Sequence, residues 1–167
     1  MTCRYENHRV VGTEFNFHNF GSEGIIFRDR AAGLIRKIYS SERDRKFAEQ
    51  DFKSEIEAFG IAMKSPEISA SIPGKFRILD TQTVVDEKGE CVSNQYFPDL
   101  AFEAEFINLR FVEIGSLPNS ESSAIERKFK KVGINYTGDM AIAFSEDRLC
   151  YKVVDFKVRG QEIWHKT

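Results

Sequence analysis

Long apolar runs are missing from this chain of 167 residues. No stretch approaches the roughly 20 apolar residues that a membrane-spanning helix needs, and the N-terminus lacks the apolar segment of a signal peptide. We therefore expect no membrane span and a cytoplasmic location. Secretion into a host or rival cell by a signal-peptide-independent route would leave the same pattern.

The chain also has few cysteines and a small net charge. The three cysteines, Cys3, Cys91 and Cys150, are widely spaced, and they form neither a C-x-x-C pair nor a metal-ligand pattern. This spacing argues against a zinc site or a disulfide framework and favours reduced structural thiols. The formal net charge of −2 gives no overall attraction to nucleic acid, so we expect no nucleic-acid partner.

The residues that are abundant predict a folded α+β protein. Hydrophobic residues make up 41% of the chain and charged residues 30%, and the 15 phenylalanines indicate an aromatic core. The length suits one domain, or one compact unit of two small lobes.

The first forty residues have the pattern of three antiparallel strands joined by short turns. Residues 14–18 alternate polar and apolar side chains, and residues 25–27 and 34–39 are apolar strand candidates. Gly21 and Gly24 lie in the first turn. A backbone without Cβ can approach a phosphate closely and present its N–H groups, although formation of the turn alone would explain both glycines.

A helix is predicted over residues 41–63. Its apolar face would carry the side chains Phe47, Phe52, Ile56, Phe59 and Met63. Ser41 with Asp44 three residues later has the form of a helix start signal. Glu55 lies beside this face, and Lys37 on the third strand is a natural ion-pair partner for it; both side chains could equally face solvent.

A β-hairpin is predicted where two apolar runs, Ala141–Phe144 and Leu149–Val154, flank the polar turn of residues 145–148. Asp139 and Asp155 lie just outside the open end of this hairpin, where two carboxylates can face a shared cleft. Phosphoryl transfer uses one carboxylate near the nucleophile and another that holds a metal ion. The alternative is an ordinary surface hairpin with carboxylates at its ends.

The order of these features resembles the protein-kinase-like fold. Residues 19–26, NFGSEGII, look like the glycine-rich loop, with Asn19 in place of the first glycine, and IRK at 35–37 is similar to the strand with the phosphate-binding lysine. FKSEIEAF at 52–59 resembles the helix with the partner glutamate. Gly138-Asp139 is similar to a catalytic-loop aspartate, and VVDF at 153–156 to the strand that leads into the metal-binding aspartate.

The resemblance implies a two-part fold and a set of site residues. Residues 1–98 would form an antiparallel sheet with one long helix, and residues 99–167 a strongly reduced helical lobe with the hairpin. Lys37, Glu55 and Asp139 would be catalytic, and Asp155 would hold Mg²⁺. The nucleotide ATP would be bound by Gly21, Ser22, Gly24, Ile26, Lys37, Gln95 and Phe97.

Two further segments carry predictions about the fold. Pro98 cannot donate to a strand ladder, so residues 95–99 are predicted to form a connector, which in the resemblance is the hinge that binds adenine. Residues 100–111 are predicted to be a short helix, and residues 122–132 a helix with Ile125, Phe129 and Val132 inward.

The chain also departs from the kinase pattern. The asparagine that holds a second magnesium ion is replaced by Phe144, or by Ala141 if the hairpin strand is aligned, and Lys157 stands where glycine would follow Phe156. Only eleven residues follow Phe156, too few for a full substrate lobe.

Three functions therefore stay open. The first is an active minimal kinase, similar to the small kinase-like effectors of bacterial pathogens, that transfers the γ-phosphoryl group of ATP to a serine or threonine hydroxyl of a protein substrate. The second is an inactive pseudokinase that binds a protein partner as an inhibitor, an immunity-type protein or an adaptor. The third is an unrelated α+β domain.

Overall fold

The chain forms a mixed α+β fold, described in a computed structural model for residues 4–21 and 23–159. Within these residues the strands are β1 Arg9–Val10, β2 Asn16–Phe20, β3 Gly24–Asp29, β4 Leu34–Ser40, β5 Arg77–Ile78, β6 Val84–Val85, β7 Tyr96–Glu105, β8 Phe111–Glu113, β9 Ala141–Phe144 and β10 Tyr151–Val154. The helices are α1 Arg45–Met63 and α2 Asn119–Lys131, with 3₁₀ turns at Ser69–Ser71, Ser93–Gln95 and Ile114–Ser116. The α+β prediction is confirmed.

The chain divides into two units. The first unit comprises Met1–Phe52 and Gly74–Phe106, and the second comprises Lys53–Pro73 and Ile107–Thr167. The boundary predicted between residues 98 and 99 falls inside β7.

The first unit contains a curled antiparallel sheet of seven strands in the order β5-β7-β4-β3-β2-β1-β6. β2, β3 and β4 are neighbours because short turns connect them, as predicted. β3 and β4 pair from Gly24↔Tyr39 to Asp29↔Leu34. The turn between them ends at Gly33, whose φ of 68° lies in the left-handed region that glycine adopts without a Cβ clash.

Alternation along these strands builds the core of the first unit. Ile25 and Phe27 on β3 and Ile38 on β4 point to one face and are almost fully buried. The rest of this cluster is formed by Tyr5, Val10, Phe15, Leu79, Val84, Tyr96 and Ala101.

The strand β7 corrects two predictions. The connector expected over residues 95–99 and the helix expected over residues 100–111 are wrong, because Tyr96–Glu105 is a ten-residue strand paired with β4. The pairing changes register between Ile38↔Ala101 and Tyr39↔Phe97, so residues 98–100 form a bulge. Pro98 is tolerated there because a bulged residue needs no ladder hydrogen bond.

Helix α1 is confirmed, although it starts at Arg45, four residues later than predicted. The Ser41 hydroxyl donates to the carbonyl of Asn94 at 2.9 Å instead of capping the helix. Phe52 and Phe59 are buried as predicted, whereas Phe47 and Met63 are half exposed. Small residues, Ala48, Ala58 and Ala62, complete the buried face.

The second unit contains a three-stranded antiparallel sheet in the order β10-β9-β8. The predicted hairpin is confirmed: β9 and β10 pair from Tyr151↔Phe144 to Val154↔Ala141. Helix α2 buries Ile125 and Phe129 as predicted, whereas Val132, which follows the last residue of α2, is only half-buried. None of the helices within residues 4–21 and 23–159 is both long enough and apolar enough to span a membrane.

Candidate functional site

Asp139 and Asp155 lie at the same end, the open end, of the β9–β10 hairpin. Ala141 pairs with Val154, and beyond this pair Tyr136 and Lys157 exchange backbone hydrogen bonds, with N···O distances of 3.0 and 3.2 Å. Between these two pairs the chain has four residues on one side, 137–140, and two on the other, 155–156. Asp139 and Asp155 both lie in this interval, and both are exposed.

Asp155 has an unusual backbone conformation. Its φ of 63° lies in the left-handed region, which costs roughly 1–2 kcal/mol for a residue with a Cβ and is adopted most readily by Asn and Asp among such residues. The next side chain, Phe156, is fully buried, with ring centroids 4.9 Å from Phe59 and 5.4 Å from Phe129. Burial of Phe156 therefore offsets the strain and holds Asp155 at the surface.

Asp139 accepts a hydrogen bond from the Tyr136 hydroxyl, 2.9 Å from Oδ2. The Arg159 guanidinium lies 3.8 Å from the centroid of the Tyr136 ring and the Lys157 ammonium 5.9 Å from it. Asn135 and Arg159 are joined by two hydrogen bonds of 2.7 and 2.8 Å. These contacts orient Tyr136, and Tyr136 in turn orients Asp139.

Tyr136 and Arg159 were not singled out from the sequence. A tyrosine three residues before the candidate aspartate is a weak signal, because the direction of its hydroxyl depends on the pairing with residue 157. The cation–aromatic contact of Arg159 depends on the same pairing.

Carboxylate oxygens are the preferred protein ligands of a hard cation such as Mg²⁺, and Asp139 and Asp155 supply such oxygens at this end of the hairpin. No group of three or more His, Cys, Asp or Glu side chains placed to hold a metal occurs among the described residues. Ala141 and Phe144 lie on β9 and offer no side-chain oxygen. Ser145 lies at the far end of the hairpin, where its hydroxyl donates to Asp147 at 2.7 Å.

In the first unit, Lys37 on β4 is buried and contacts a residue that was not predicted. Its Nζ lies 3.5 Å from Oε2 of Glu23 and 4.9 Å from the centroid of the Tyr39 ring. The Tyr39 hydroxyl donates to the same Glu23 oxygen at 3.2 Å. Glu55, on the part of α1 that belongs to the second unit, is 2% exposed. The ion pair of Lys37 with Glu55 stays a prediction.

The two glycines of the β2–β3 turn differ in what surrounds them. A Cβ at Gly24 would stand 3.0 Å from the carbonyl oxygen of Ile38 and 3.3 Å from Cγ and Cε of Lys37, whereas a Cβ at Gly21 would meet nothing closer than 3.9 Å. Residue 24 is therefore tightly packed against β4, where a larger side chain would push on its neighbours. The N–H of Gly21 donates to the carbonyl of Gly24 at 3.0 Å.

The remaining predicted nucleotide-binding residues also lie in the first unit. Ile26 is half-buried and pairs with Lys37 across the strands, and Phe97 pairs with Tyr39. The carbonyl of Gln95 accepts from the Ser41 N–H at 3.0 Å. Ser22 lies outside the described residues. The adenine contacts of Gln95 and Phe97 stay a prediction.

The fold therefore places the chain in the mixed α+β class. Comparison with protein-family models and with curated protein sequences finds no match.

Proposed function

We propose that this protein binds ATP with Mg²⁺ as a minimal kinase-like protein and transfers the γ-phosphoryl group to a hydroxyl of a protein substrate. The observation that supports the proposal most is the placement of Asp139 and Asp155 at one end of the β9–β10 hairpin. Two carboxylates at such a position match the requirement of phosphoryl transfer for one group at the nucleophile and one at the metal.

The proposal gives each predicted site residue a role. Lys37, with Glu55 as its partner, holds the phosphates of ATP, and the β2–β3 turn with Gly21, Ser22 and Gly24 covers them. Ile26, Gln95 and Phe97 contact the nucleoside.

In the second unit, Asp155 holds the magnesium ion, which when bound supplies positive charge to the phosphate oxygens. Asp139 orients the acceptor hydroxyl and accepts its proton. Since the Tyr136 hydroxyl bonds to Oδ2 of Asp139, Oδ1 is the oxygen left for the acceptor.

A catalytically inactive pseudokinase that binds a protein partner is the second candidate. It is favoured by the side chains Ala141 and Phe144, because neither can supply the second oxygen site of an active kinase. The pairing of Lys37 with Glu23 favours it as well, since a carboxylate already in contact with the lysine competes with phosphate.

A thermal-shift titration with ATP and MgCl₂ tests the proposal. Ligand that binds only the folded state must raise the melting temperature as its concentration rises. We expect a rise for the wild type that is lost in Lys37→Met and in Asp155→Asn. Met keeps the apolar stem that packs against Gly24, and Asn keeps the shape of the carboxylate.

Two exposed residues give matched controls. Lys46→Met changes a lysine on the surface of α1, and Glu146→Gln changes a carboxylate at the far end of the hairpin; both should respond like the wild type. If the melting temperature of the wild type does not change at any ATP concentration, the proposal of nucleotide binding is overturned. Transfer of labelled phosphate, abolished by Asp139→Asn, would separate the active kinase from the pseudokinase.

A further inference from the structure

Glu23 holds its carboxylate against the ammonium of Lys37, the lysine that the proposed function assigns to the phosphates of ATP. Oε2 of Glu23 lies 3.5 Å from Nζ of Lys37, and the Tyr39 hydroxyl donates to the same oxygen at 3.2 Å. Lys37 and Tyr39 are two residues apart on β4, so their side chains point to the same face of the sheet. Two donors from one strand therefore converge on one oxygen of Glu23.

Packing around Lys37 shields this ion pair from water. The stem of Lys37 passes over Gly24, where a Cβ would stand 3.3 Å from both its Cγ and its Cε. The side chain of Lys37 is 9% exposed, and its ammonium lies 4.9 Å from the ring centroid of Tyr39 and 6.0 Å from that of Phe102. Because water is largely excluded here, the attraction between the two charges is stronger than in a surface pair.

Glu23 is the more accessible member of the pair. Its side chain is 18% exposed, twice the exposed fraction of Lys37. The carbonyl oxygen of Glu23 accepts from the N–H of Ser40 at 3.2 Å, which ties the backbone of residue 23 to the end of β4. The carboxylate can therefore leave Lys37 by rotation of its own side chain, while the backbone between β2 and β3 stays in place.

One ammonium cannot neutralise both a carboxylate and a phosphate. Lys37 carries a single positive charge, whereas Glu23 and a phosphate of ATP together carry at least two negative charges. If both anions contacted the same Nζ, they would lie close together where water is largely excluded, and they would repel each other strongly. Glu23 and phosphate therefore compete for Lys37.

We propose that Glu23 is an autoinhibitory carboxylate, which occupies the place of a phosphate beside Lys37 and moves away when ATP binds. The inference rests on the proposed function, because it concerns the regulation of the same ATP site. The apparent Kd for ATP is then the intrinsic Kd divided by the fraction of molecules in which Glu23 has left Lys37. Removal of the charge of Glu23 should therefore tighten the binding of ATP.

Isothermal titration calorimetry with ATP and MgCl₂ compares the wild type with Glu23→Gln, which keeps the shape of the side chain and removes its charge. We expect Glu23→Gln to bind ATP about tenfold more tightly or better, because a charge-assisted contact no longer competes. Tyr39→Phe keeps the ring and removes one donor to Glu23, so it should tighten binding by a smaller factor. Glu90→Gln, at an exposed carboxylate of the first unit, should bind ATP like the wild type.

The contrary outcomes separate this inference from the proposed function. If the wild type binds ATP and Glu23→Gln binds it equally or more weakly, the contact is a structural ion pair and the autoinhibitory role is overturned, while ATP binding stands. Absence of ATP binding in both proteins overturns the proposed function and the autoinhibitory role with it. If Glu23→Gln does not fold, Tyr39→Phe decides: ATP affinity no higher than that of the wild type overturns the inference.

Discussion

Replacing Gly24 by alanine tests whether the glycines of the β2–β3 turn have the same role. The added methyl group would stand 3.0 Å from the carbonyl oxygen of Ile38 and 3.3 Å from two carbons of the Lys37 side chain. Ile38 belongs to β4, which lies between β3 and β7 in the sheet and therefore has little freedom to move. Overpacking of this kind costs roughly 1–3 kcal/mol, and the lower entropy of the unfolded chain returns about 0.4–1 kcal/mol.

The expected net loss for Gly24→Ala is about 1–2 kcal/mol of unfolding free energy, around the difference between the midpoints of the two ranges above. For a chain of this size the melting temperature should fall by roughly 2–8 °C. Gly21→Ala is the matched control: its Cβ meets nothing closer than 3.9 Å, so stability should stay the same or rise.

Urea denaturation followed by circular dichroism measures the unfolding free energy of both variants. An unchanged m-value would show that unfolding exposes the same amount of surface as in the wild type. The reasoning is refuted if Gly24→Ala is as stable as the wild type, or if Gly21→Ala is destabilised equally. Either result would mean that contact with β4 does not explain why residue 24 is a glycine.

Two further predictions concern charged and polar pairs. Burial raises the pKa of Glu103, but hydrogen bonds from Arg77 and Arg36 lower it by more. The net pKa of Glu103 therefore lies below its ordinary value of 4.5. The stability that this carboxylate contributes is thus present above pH 4.5 and lost as the pH falls through the lower folded-state pKa. The unfolding free energy of Glu103→Gln should therefore depend less steeply on pH in acid than that of the wild type. Glu103→Gln should also lose about 1–3 kcal/mol at neutral pH, measured by urea denaturation, and equal stability would contradict the pairing. Tyr136→Phe removes the hydrogen bond to Asp139 and should lower the rate of labelled-phosphate transfer with little change in melting temperature; an unchanged rate would contradict a positioning role.

The parts of the fold that could be predicted from the sequence are those that follow from local residue patterns. The β9–β10 hairpin follows from two apolar runs around a four-residue turn, and α1 and α2 follow from helical periodicity. Asp139 and Asp155 could be placed at one end of the hairpin because their positions follow from the pairing of adjacent strands.

The strand β7 could not be predicted from its own residues. Pro98 signals an end to the strand, but the bulge opposite β4 accommodates it. Glu103 suggests a solvent-facing helix position, yet it is buried because Arg36 and Arg77 reach it from β4 and β5, at 3.0 and 2.8 Å. Neither partner is close to Glu103 in the sequence.

The contacts within the candidate site were missed for the same reason. The carboxylate of Glu23 reaches Lys37 because β3 and β4 pair in one particular register, and Tyr136 reaches Asp139 because residues 136 and 157 pair. Local sequence gives the residue types, whereas the register decides which side chains meet.

The most direct test of the proposed function is the heat of binding of ATP, measured by isothermal titration calorimetry in the presence and absence of Mg²⁺. We predict saturable binding to the wild type that is strengthened by Mg²⁺, and binding to Asp155→Asn that no longer depends on Mg²⁺. Absence of saturable binding in the wild type, or an unchanged Mg²⁺ dependence in Asp155→Asn, would contradict the assignment of this hairpin end as the metal site of an ATP-binding protein.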